Sequence, residues 1–426
     1  MKLKGVCILL ALLLMASVSF AQKTGGDKKT GDVFKRAAVV KAYRTAMKEK
    51  NYAKAKQGLD EALKKYAEAA KDAQLYKYKM EALNELIGVE NRKIYLKSKP
   101  DTVSYFNYMY ELYTTGLICD TVEQEALMAK KAEGKKASPK LRYGVAQMML
   151  PFRKNLLSAG KFYYKKKDYA NAFRFLDMYA QTKVAKVFLD SKDNTTISDP
   201  EDMQEVAVLA VLSAYGSENY RGTMKYLPES LADKDLEPKL LEVGCKSAAE
   251  MGDTVEMVRL LETGFENYPE TEYFFMTLMK YYNDRTDFEQ ALDKALQMTE
   301  RFPDKRDYWF MAGKEQMLLG KNKEALESFA KCLEINADDA ESFSAIGNIY
   351  LHDAHEAYAQ FNVPLSDPSY TKKKAAINAL YKEACTAFEQ AKKFDENHQE
   401  LWLSGLREAY FKLNRGKELR ALEKYH

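Results

Sequence analysis

The sequence contains little proline, histidine and cysteine for its length. Its 426 residues include 10 prolines, 4 histidines and 5 cysteines. Cysteines this sparse do not make a disulfide framework, and we expect the four beyond the N-terminal segment to be free and mostly buried. Scarce proline, together with frequent alanine, leucine, lysine and glutamate, predicts a helical fold. The four cysteines are Cys119, Cys245, Cys332 and Cys385.

The chain also lacks an excess of either charge. It has 66 lysines and arginines against 62 aspartates and glutamates, for a formal net charge of +4. Such a balance gives no indication of nucleic acid or an anionic membrane surface as a partner. The hydrophobic content of 46% indicates a folded chain and not a disordered one.

Signatures of catalysis are missing as well. The sequence has no nucleophile motif, no glycine-rich phosphate loop and no zinc-protease motif. We therefore predict that the protein is not an enzyme and needs no cofactor. His352 and His355 are spaced to share a helix face and hold a metal, but the sequence fixes no third ligand. We interpret them as ordinary polar residues and predict no metal site.

The N-terminus has the pattern of a cleaved secretory signal. Two lysines precede an apolar run from Val6 to Leu14, and Ser19 and Ala21 are small residues at the spacing of a cleavage site. No cysteine stands where a lipid anchor needs one. We predict a signal peptide at 1–21 and a flexible leader at 22–32. The mature chain would be periplasmic or secreted, with no membrane-spanning segment.

A fixed period of about 34 residues runs through the second half of the chain, and a period of this length indicates stacked similar units and not one globular core. Alanines and prolines recur in the same register, as Ala291 with Ala325 and Pro269 with Pro303 show. The residues that carry the period most clearly are Ala207, Leu241, Phe275, Trp309 and Phe343.

The best copy of the unit lies between Asp307 and Asp338. Small residues at Gly313 and Ala325 suit a close crossing of two helices, and Gly320 suits the tight turn between them. The whole pattern resembles the tetratricopeptide repeat, TPR. That resemblance implies an all-α superhelical solenoid of helix-turn-helix units, and the chain is similar to secreted TPR proteins of Bacteroidetes. The matching residues are Trp309, Ala312, Gly313, Gly320, Ala325, Phe329 and Cys332.

One unit is interrupted. After Phe343 and Gly347, the small and aromatic residues of its second helix are expected at positions 359, 363 and 366, but they come later, at Ala384, Phe388 and Ala391. We predict an insert with two protruding helices, over residues 351–360 and 370–379. The predicted regions are therefore a partly degenerate TPR-like region at 33–189, a loop at 190–201, a regular array at 202–350, the insert and displaced second helix at 351–394, and a C-terminal repeat or cap at 395–426. Within the first region we expect a helix break near Gly88.

The resemblance implies that partners bind in a groove lined by the first helix of each unit. Apolar residues flanked by lysine and asparagine suit a peptide with an acidic flank. Our leading hypothesis is a non-catalytic periplasmic scaffold that binds a protein or peptide. The alternatives are a structural or assembly factor at the outer membrane and a glycan-binding protein. The candidate groove residues are Tyr273, Met276, Lys280, Phe310, Lys314, Met317 and Asn348.

Three Asp-Thr-Val segments resemble the acceptor for O-glycosylation used in Bacteroidetes. Their threonines are Thr102, Thr121 and Thr254. We expect all three at turns or helix starts, where a transferase can reach the hydroxyl. Helix capping by the aspartate and threonine explains the same segments without a glycan.

Overall fold

The computed structural model describes residues 33–189 and 200–425. The predicted signal at 1–21 and leader at 22–32 lie outside the described residues, as does most of the predicted loop at 190–201. Within the described residues all regular structure is helical and no strand occurs. The predicted all-α class is confirmed.

The helices form two compact units. Unit 1 lies within Met1–Lys166 and Arg174–Asp199, and unit 2 within Lys167–Phe173 and Pro200–His426. One helix, α8, starts in unit 2 and ends in unit 1. In chain order the described helices up to this boundary are α1 (Arg36–Lys48), α2 (Tyr52–Lys65), α3 (Ala67–Ala70), α4 (Ala73–Tyr95), α5 (Thr102–Ala132), α6 (Arg142–Met149), α7 (Arg153–Lys165), α8 (Tyr169–Thr182) and α9 (Lys186–Leu189).

Helix α4 runs without a break through Gly88, so the predicted interruption there is wrong. A glycine inside a helix costs about 1 kcal/mol relative to alanine. Leu83 and Ile87, just before it, are fully buried against the neighbouring helices, and α4 packs on both α2 and α5. Burying one such side chain contributes about 1.5–3 kcal/mol, which outweighs the glycine penalty.

A buried carboxylate on α5 fixes the chain that leads into α6. Glu123 accepts hydrogen bonds from the backbone N–H groups of Lys140, Leu141 and Arg142 at 2.7, 2.9 and 3.2 Å. Asp120, one turn earlier, takes the Arg142 guanidinium at 2.6 Å. These N–H groups at the start of α6 have no partner within their own helix. Glu123 supplies it from a distant part of the sequence.

Unit 2 consists mainly of helical hairpins in which each helix packs on the next. Short turns join most of them, and a 3₁₀ turn covers Gln399–Leu401. The helices are α10 (Pro200–Gly216), α11 (Tyr220–Ser230), α12 (Glu237–Glu250), α13 (Thr254–Asn267), α14 (Glu272–Asn283), α15 (Phe288–Arg301), α16 (Arg306–Leu318), α17 (Asn322–Ile335), α18 (Ala340–Ala359), α19 (Tyr370–Phe394), α20 (Leu403–Lys412) and α21 (Gly416–Ala421).

The turns inside the hairpins repeat the same backbone conformation once in every period. Glu218, Gly252, Thr286 and Gly320 have φ angles of 58°, 71°, 57° and 69°. A residue in this left-handed region ends a helix and lets the chain reverse. The predicted turn at Gly320 is confirmed. The period of the sequence is therefore also a period of the backbone.

At the helix crossing, a phenylalanine ring leaves no space for a side chain in place of the glycine. A Cβ added to Gly313 on α16 would lie 2.8 Å from the ring of Phe329 on α17, which is fully buried. Trp309 is half-buried, and its Nε1 donates to the carbonyl of Pro303 at 2.9 Å. Pro303 follows Phe302, the C-cap residue of α15. These hairpins are TPR-like.

The interrupted unit keeps this packing. A Cβ added to Gly347 on α18 would lie 2.8 Å from the ring of Phe388 on α19. Phe388 thus supplies the ring that an uninterrupted unit would carry at position 363, and the insert accounts for the displacement. The extended parts of α18 and α19 bury a small cluster of their own, formed by Ala354, Ile377 and Tyr381.

The four cysteines of the described chain are free and buried, which confirms the prediction. Burial raises the pKa of the Cys332 thiol to about 11. A thiol that stays neutral inside the core is unreactive. These cysteines therefore act as small core residues.

Candidate partner-binding surface

The first helices of unit 2 place lysines at one repeat position. Lys246, Lys280 and Lys314 lie on α12, α14 and α16, each one period from the next, and Asn348 continues the row on α18. We call these four residues the lysine row. Neighbouring first helices contact one another, as α16 and α18 do. The predicted site contained three members of this row and missed Lys246, which the repeat period was sufficient to identify.

The charges of the lysine row are only partly compensated. Lys280 pairs with Asp284 at 2.7 Å in an exposed position, where an ion pair contributes little. Lys246 donates to Glu242 at 2.5 Å, and this hydrogen bond raises the pKa of Lys246. Lys314 is exposed, and among the described residues no ion pair holds it. The row therefore presents positive charge at its centre.

The predicted aromatic and apolar residues of the groove are not equally accessible. Met276 on α14 is 46% exposed. Phe310 and Met317 on α16 are half-buried and pack against a core cluster that includes Phe329. The Phe310 ring meets Phe329 edge-on at 5.5 Å, and the Arg306 guanidinium lies 4.2 Å above it. These two residues thus belong partly to the core.

Tyr273 lies beside the lysine row. Its side chain is half-buried, and the Lys246 ammonium lies 5.1 Å from the ring centroid. Burial raises the pKa of the Tyr273 hydroxyl. Tyr273 therefore contacts Lys246 and borders the lysine row.

A buried acid next to the row was not expected from the sequence. Glu315 on α16 is 4% exposed, and its Oε1 accepts from Asn283 Nδ2 of α14 at 3.0 Å. Its Oε2 is buried without a hydrogen-bond partner among the described residues. Burial raises the pKa of Glu315. The contact ties two neighbouring first helices together.

The two candidate metal-binding histidines are both next to carboxylates. His355 Nε2 lies 2.5 Å from Glu408 Oε1, and His352 Nδ1 lies 3.6 Å from Asp353 Oδ1. The described residues contain no group of three side chains able to hold a metal ion. The arrangement does not bring a ligand set together around these histidines.

The three threonines of the Asp-Thr-Val segments have different settings. Thr102 and Thr254 are the first residues of α5 and α13, and the aspartate before each caps its helix. The prediction of a turn or helix start at Thr121 is wrong, because Thr121 lies in the middle of α5 and donates to the carbonyl of Leu117 at 3.0 Å. The aspartate before it, Asp120, binds Arg142 instead of capping. Glycosylation at all three positions stays a prediction.

No protein-family model matches the sequence, and a search of curated proteins finds no match. Among solved structures the chain is similar to MamA of strain AMB-1, at 16% identity and a TM-score of 0.31, over 46% of this chain and 94% of that one. A TPR repeats protein from Bacteroides fragilis is 14% identical with a TM-score of 0.31, over 60% and 97% of the two chains. MamA from Desulfovibrio magneticus is 11% identical with the same score, over 46% and 97%. Scores this low carry no argument, and the fold assignment rests on the chain's own hairpins.

Across the described residues, no helix combines the length and apolar character that crossing a membrane requires.

Proposed function

We propose that unit 2 is a non-catalytic scaffold that holds a segment of another protein along its first helices. The lysine row is the observation that supports this most directly. Lysines at one repeat position present the same group at regular intervals, which suits an elongated ligand. The proposed contacts are Tyr273, Met276, Lys280, Phe310, Lys314, Met317 and Asn348, together with Lys246.

The charge of the row favours an acidic segment. Packed helices lie about 8–10 Å apart, and a chain in the polyproline II conformation rises about 3.1 Å per residue with three residues per turn. A partner in this conformation with a carboxylate at every third residue therefore presents its acids on one face, at the spacing of the row. The exposed Met276 offers an apolar contact beside the lysines. Electrostatic attraction of this kind mainly raises the association rate and selects the partner.

We further propose that the protein acts in the periplasm or outside the cell. The predicted signal at residues 1–21 supports this proposal. Peptide mapping by mass spectrometry of the protein exported by a bacterial host tests it, and the expected first residue is Gln22. A mature protein that still begins at Met1 contradicts it.

The binding proposal is tested with a charge reversal on the row. A fluorescent peptide with glutamate at every third position, separated by glycine and serine, serves as the probe. We expect Lys280→Glu with Lys314→Glu to weaken binding by about tenfold or more, measured by fluorescence anisotropy at low salt. Both side chains are exposed, so helical content should not change.

A matched control reverses two exposed lysines on a second helix. Lys323→Glu with Lys331→Glu changes the net charge equally but lies on α17, outside the row. We expect this variant to bind the peptide within about twofold of the original chain, since only long-range charge is altered. Equal weakening by both pairs indicates a nonspecific charge effect and contradicts the proposed surface, as does a wild-type chain that does not bind.

A further inference from the structure

The C-terminal end of α4, with its cap residue, exposes three large apolar residues in succession. Ile94, Tyr95 and Leu96 are 49%, 87% and 70% exposed, and no other run of three occurs in the described parts of the chain. They lie in unit 1, away in sequence from the lysine row. Exposed apolar groups of this kind mark contact sites.

These side chains surround the end of the helix instead of forming a stripe. Successive residues of an α-helix point about 100° apart. Three exposed neighbours therefore mean that the helix end is uncovered on most of its circumference. Lys97 then reverses the chain with a φ of 54°. A protein groove contacts one side of a helix, whereas fluid lipid headgroups and acyl chains can surround a helix end that enters the interface.

The same segment is basic. Arg92, Lys97 and Lys99 are exposed, and among the described residues no ion pair holds Lys97 or Lys99. The neighbouring acid, Glu90, is already paired with Lys93 at 2.6 Å. Two exposed lysines without an ion pair thus follow directly on the apolar side chains in the described chain.

We propose that residues 92–99, here called the α4 tip, bind the surface of an anionic phospholipid membrane. Tyr95 and Leu96 enter the boundary between headgroups and acyl chains, where a tyrosine ring is favoured because one end is apolar and the other polar. The lysines extend toward the lipid phosphates. The net charge of the whole chain does not reveal this site, because the basic excess is local.

Vesicle flotation tests the proposal with a chain that begins at Gln22 and so contains every described residue. We expect it to float with vesicles of phosphatidylethanolamine and phosphatidylglycerol and to stay behind with vesicles of phosphatidylcholine alone. Tyr95→Asp with Leu96→Asp should reduce the bound fraction by about tenfold, because the apolar contact is lost. Lys97→Glu with Lys99→Glu should remove the preference for the anionic lipid.

Matched controls separate the tip from general surface effects. Val255 is 83% exposed but isolated, so Val255→Asp tests an exposed apolar residue elsewhere. Lys130→Glu with Lys131→Glu places the same charge change at the exposed end of α5. Both controls should float like the original chain. Equal loss in the control and tip variants contradicts a specific site.

Insertion depth gives a second readout that loss of folding cannot imitate. In a Tyr95→Trp variant, brominated phospholipids should quench the added fluorescence, while a Val255→Trp variant should be unaffected. The native Trp402 is fully buried and Trp309 is half-buried, so their signal is a constant background. A chain that remains unbound to anionic vesicles overturns the proposal, and so does bound Tyr95→Trp protein whose added fluorescence bromine does not quench.

Discussion

Two neighbouring repeats of unit 2 make the same contact through very different connections. In the regular repeat, a turn at Gly320 joins α16 to α17, and Gly313 lies against the Phe329 ring. In the interrupted repeat, α18 and α19 are longer and a loop joins them, yet Gly347 lies against the Phe388 ring in the same way. Doubling a loop costs only about 0.6 kcal/mol in closure entropy. The facing side chains, and not the connection, therefore set the register.

The largest predicted effect comes from removing the shared ring. Phe329→Ala and Phe388→Ala should each lower the free energy of unfolding by about 3–5 kcal/mol, because a buried phenylalanine leaves a cavity. Phe388 should give the larger loss, since its ring also lies against Gly405. Urea denaturation followed by circular dichroism measures both. The exposed Phe411 is the control, and Phe411→Ala should change stability by less than about 0.5 kcal/mol.

The Phe329→Ala and Phe388→Ala variants also test whether the regular and the interrupted repeat are equivalent. If Phe388→Ala lowers stability by less than half as much as Phe329→Ala, the insert has loosened the contact and the two repeats are not equivalent.

A substitution to glycine should raise the free energy of unfolding in a regular repeat and lower it in the interrupted repeat. Thr286 is a turn residue with a φ of 57°, a conformation strained by about 1–2 kcal/mol for a side chain with a Cβ. Thr286→Gly should therefore raise the free energy of unfolding by about 0.5–1 kcal/mol. Ala354 stands one period after Gly320 but is helical and buried, so Ala354→Gly should lower it by about 1 kcal/mol. Thermal unfolding of both variants checks the signs, and equal signs contradict the assignment of Ala354 to a lost turn.

The smallest predicted effect is a dependence of the free energy of unfolding on pH, which should distinguish the histidine-containing part of unit 2 from the regular repeats. All four histidines follow residue 350, so the regular repeats contain none. Just after the interrupted repeat, His398 Nδ1 lies 2.5 Å from Asp395 Oδ2, and this hydrogen bond raises the pKa of His398 above 6.5 and lowers that of Asp395 below 3.8. The contribution of protonated His398 to stability is complete below pH 6.5. It is lost as the pH rises through the raised pKa of His398. It is also lost as pH falls through the lowered pKa of Asp395.

Urea titrations over a series of pH values measure this contribution. We expect His398→Gln to flatten the fall in stability above pH 6.5, with little change in the regular repeats, which contain no histidine to titrate there. An unchanged slope in the variant contradicts a role for this pair.

The sequence was informative wherever side chains recur in register. Gly313 and Gly320 could be assigned to a crossing and a turn from the repeat pattern and its resemblance to the TPR, which also implied an aromatic residue at Phe329. The period disappears in α4 and α5, and there the sequence misled. Thr121 was expected at a turn or helix start, because nothing local reveals that a helix as long as α5 continues through it. The support that Glu123 gives to α6 is equally invisible, since it joins residues far apart in the chain.

The candidate surface was predictable in part for the same reason. The lysine row follows from the period, including Lys246. The half-burial of Phe310 and Met317 does not, because a first helix packs on several neighbours and its periodic pattern does not show which apolar residues remain uncovered. For this reason the charge reversal at Lys280 and Lys314 is a cleaner test of the surface than any change at Phe310.

The loop between α18 and α19 has a practical consequence for engineering. It interrupts a repeat without disturbing the Gly347–Phe388 contact, and Leu365 within it is 81% exposed. A repeat that already accommodates an insert at this point can carry an epitope tag or a fluorophore there. A label attached at Leu365 gives a handle for imaging the protein and for immobilising it in an oriented way, with the lysine row left unaltered.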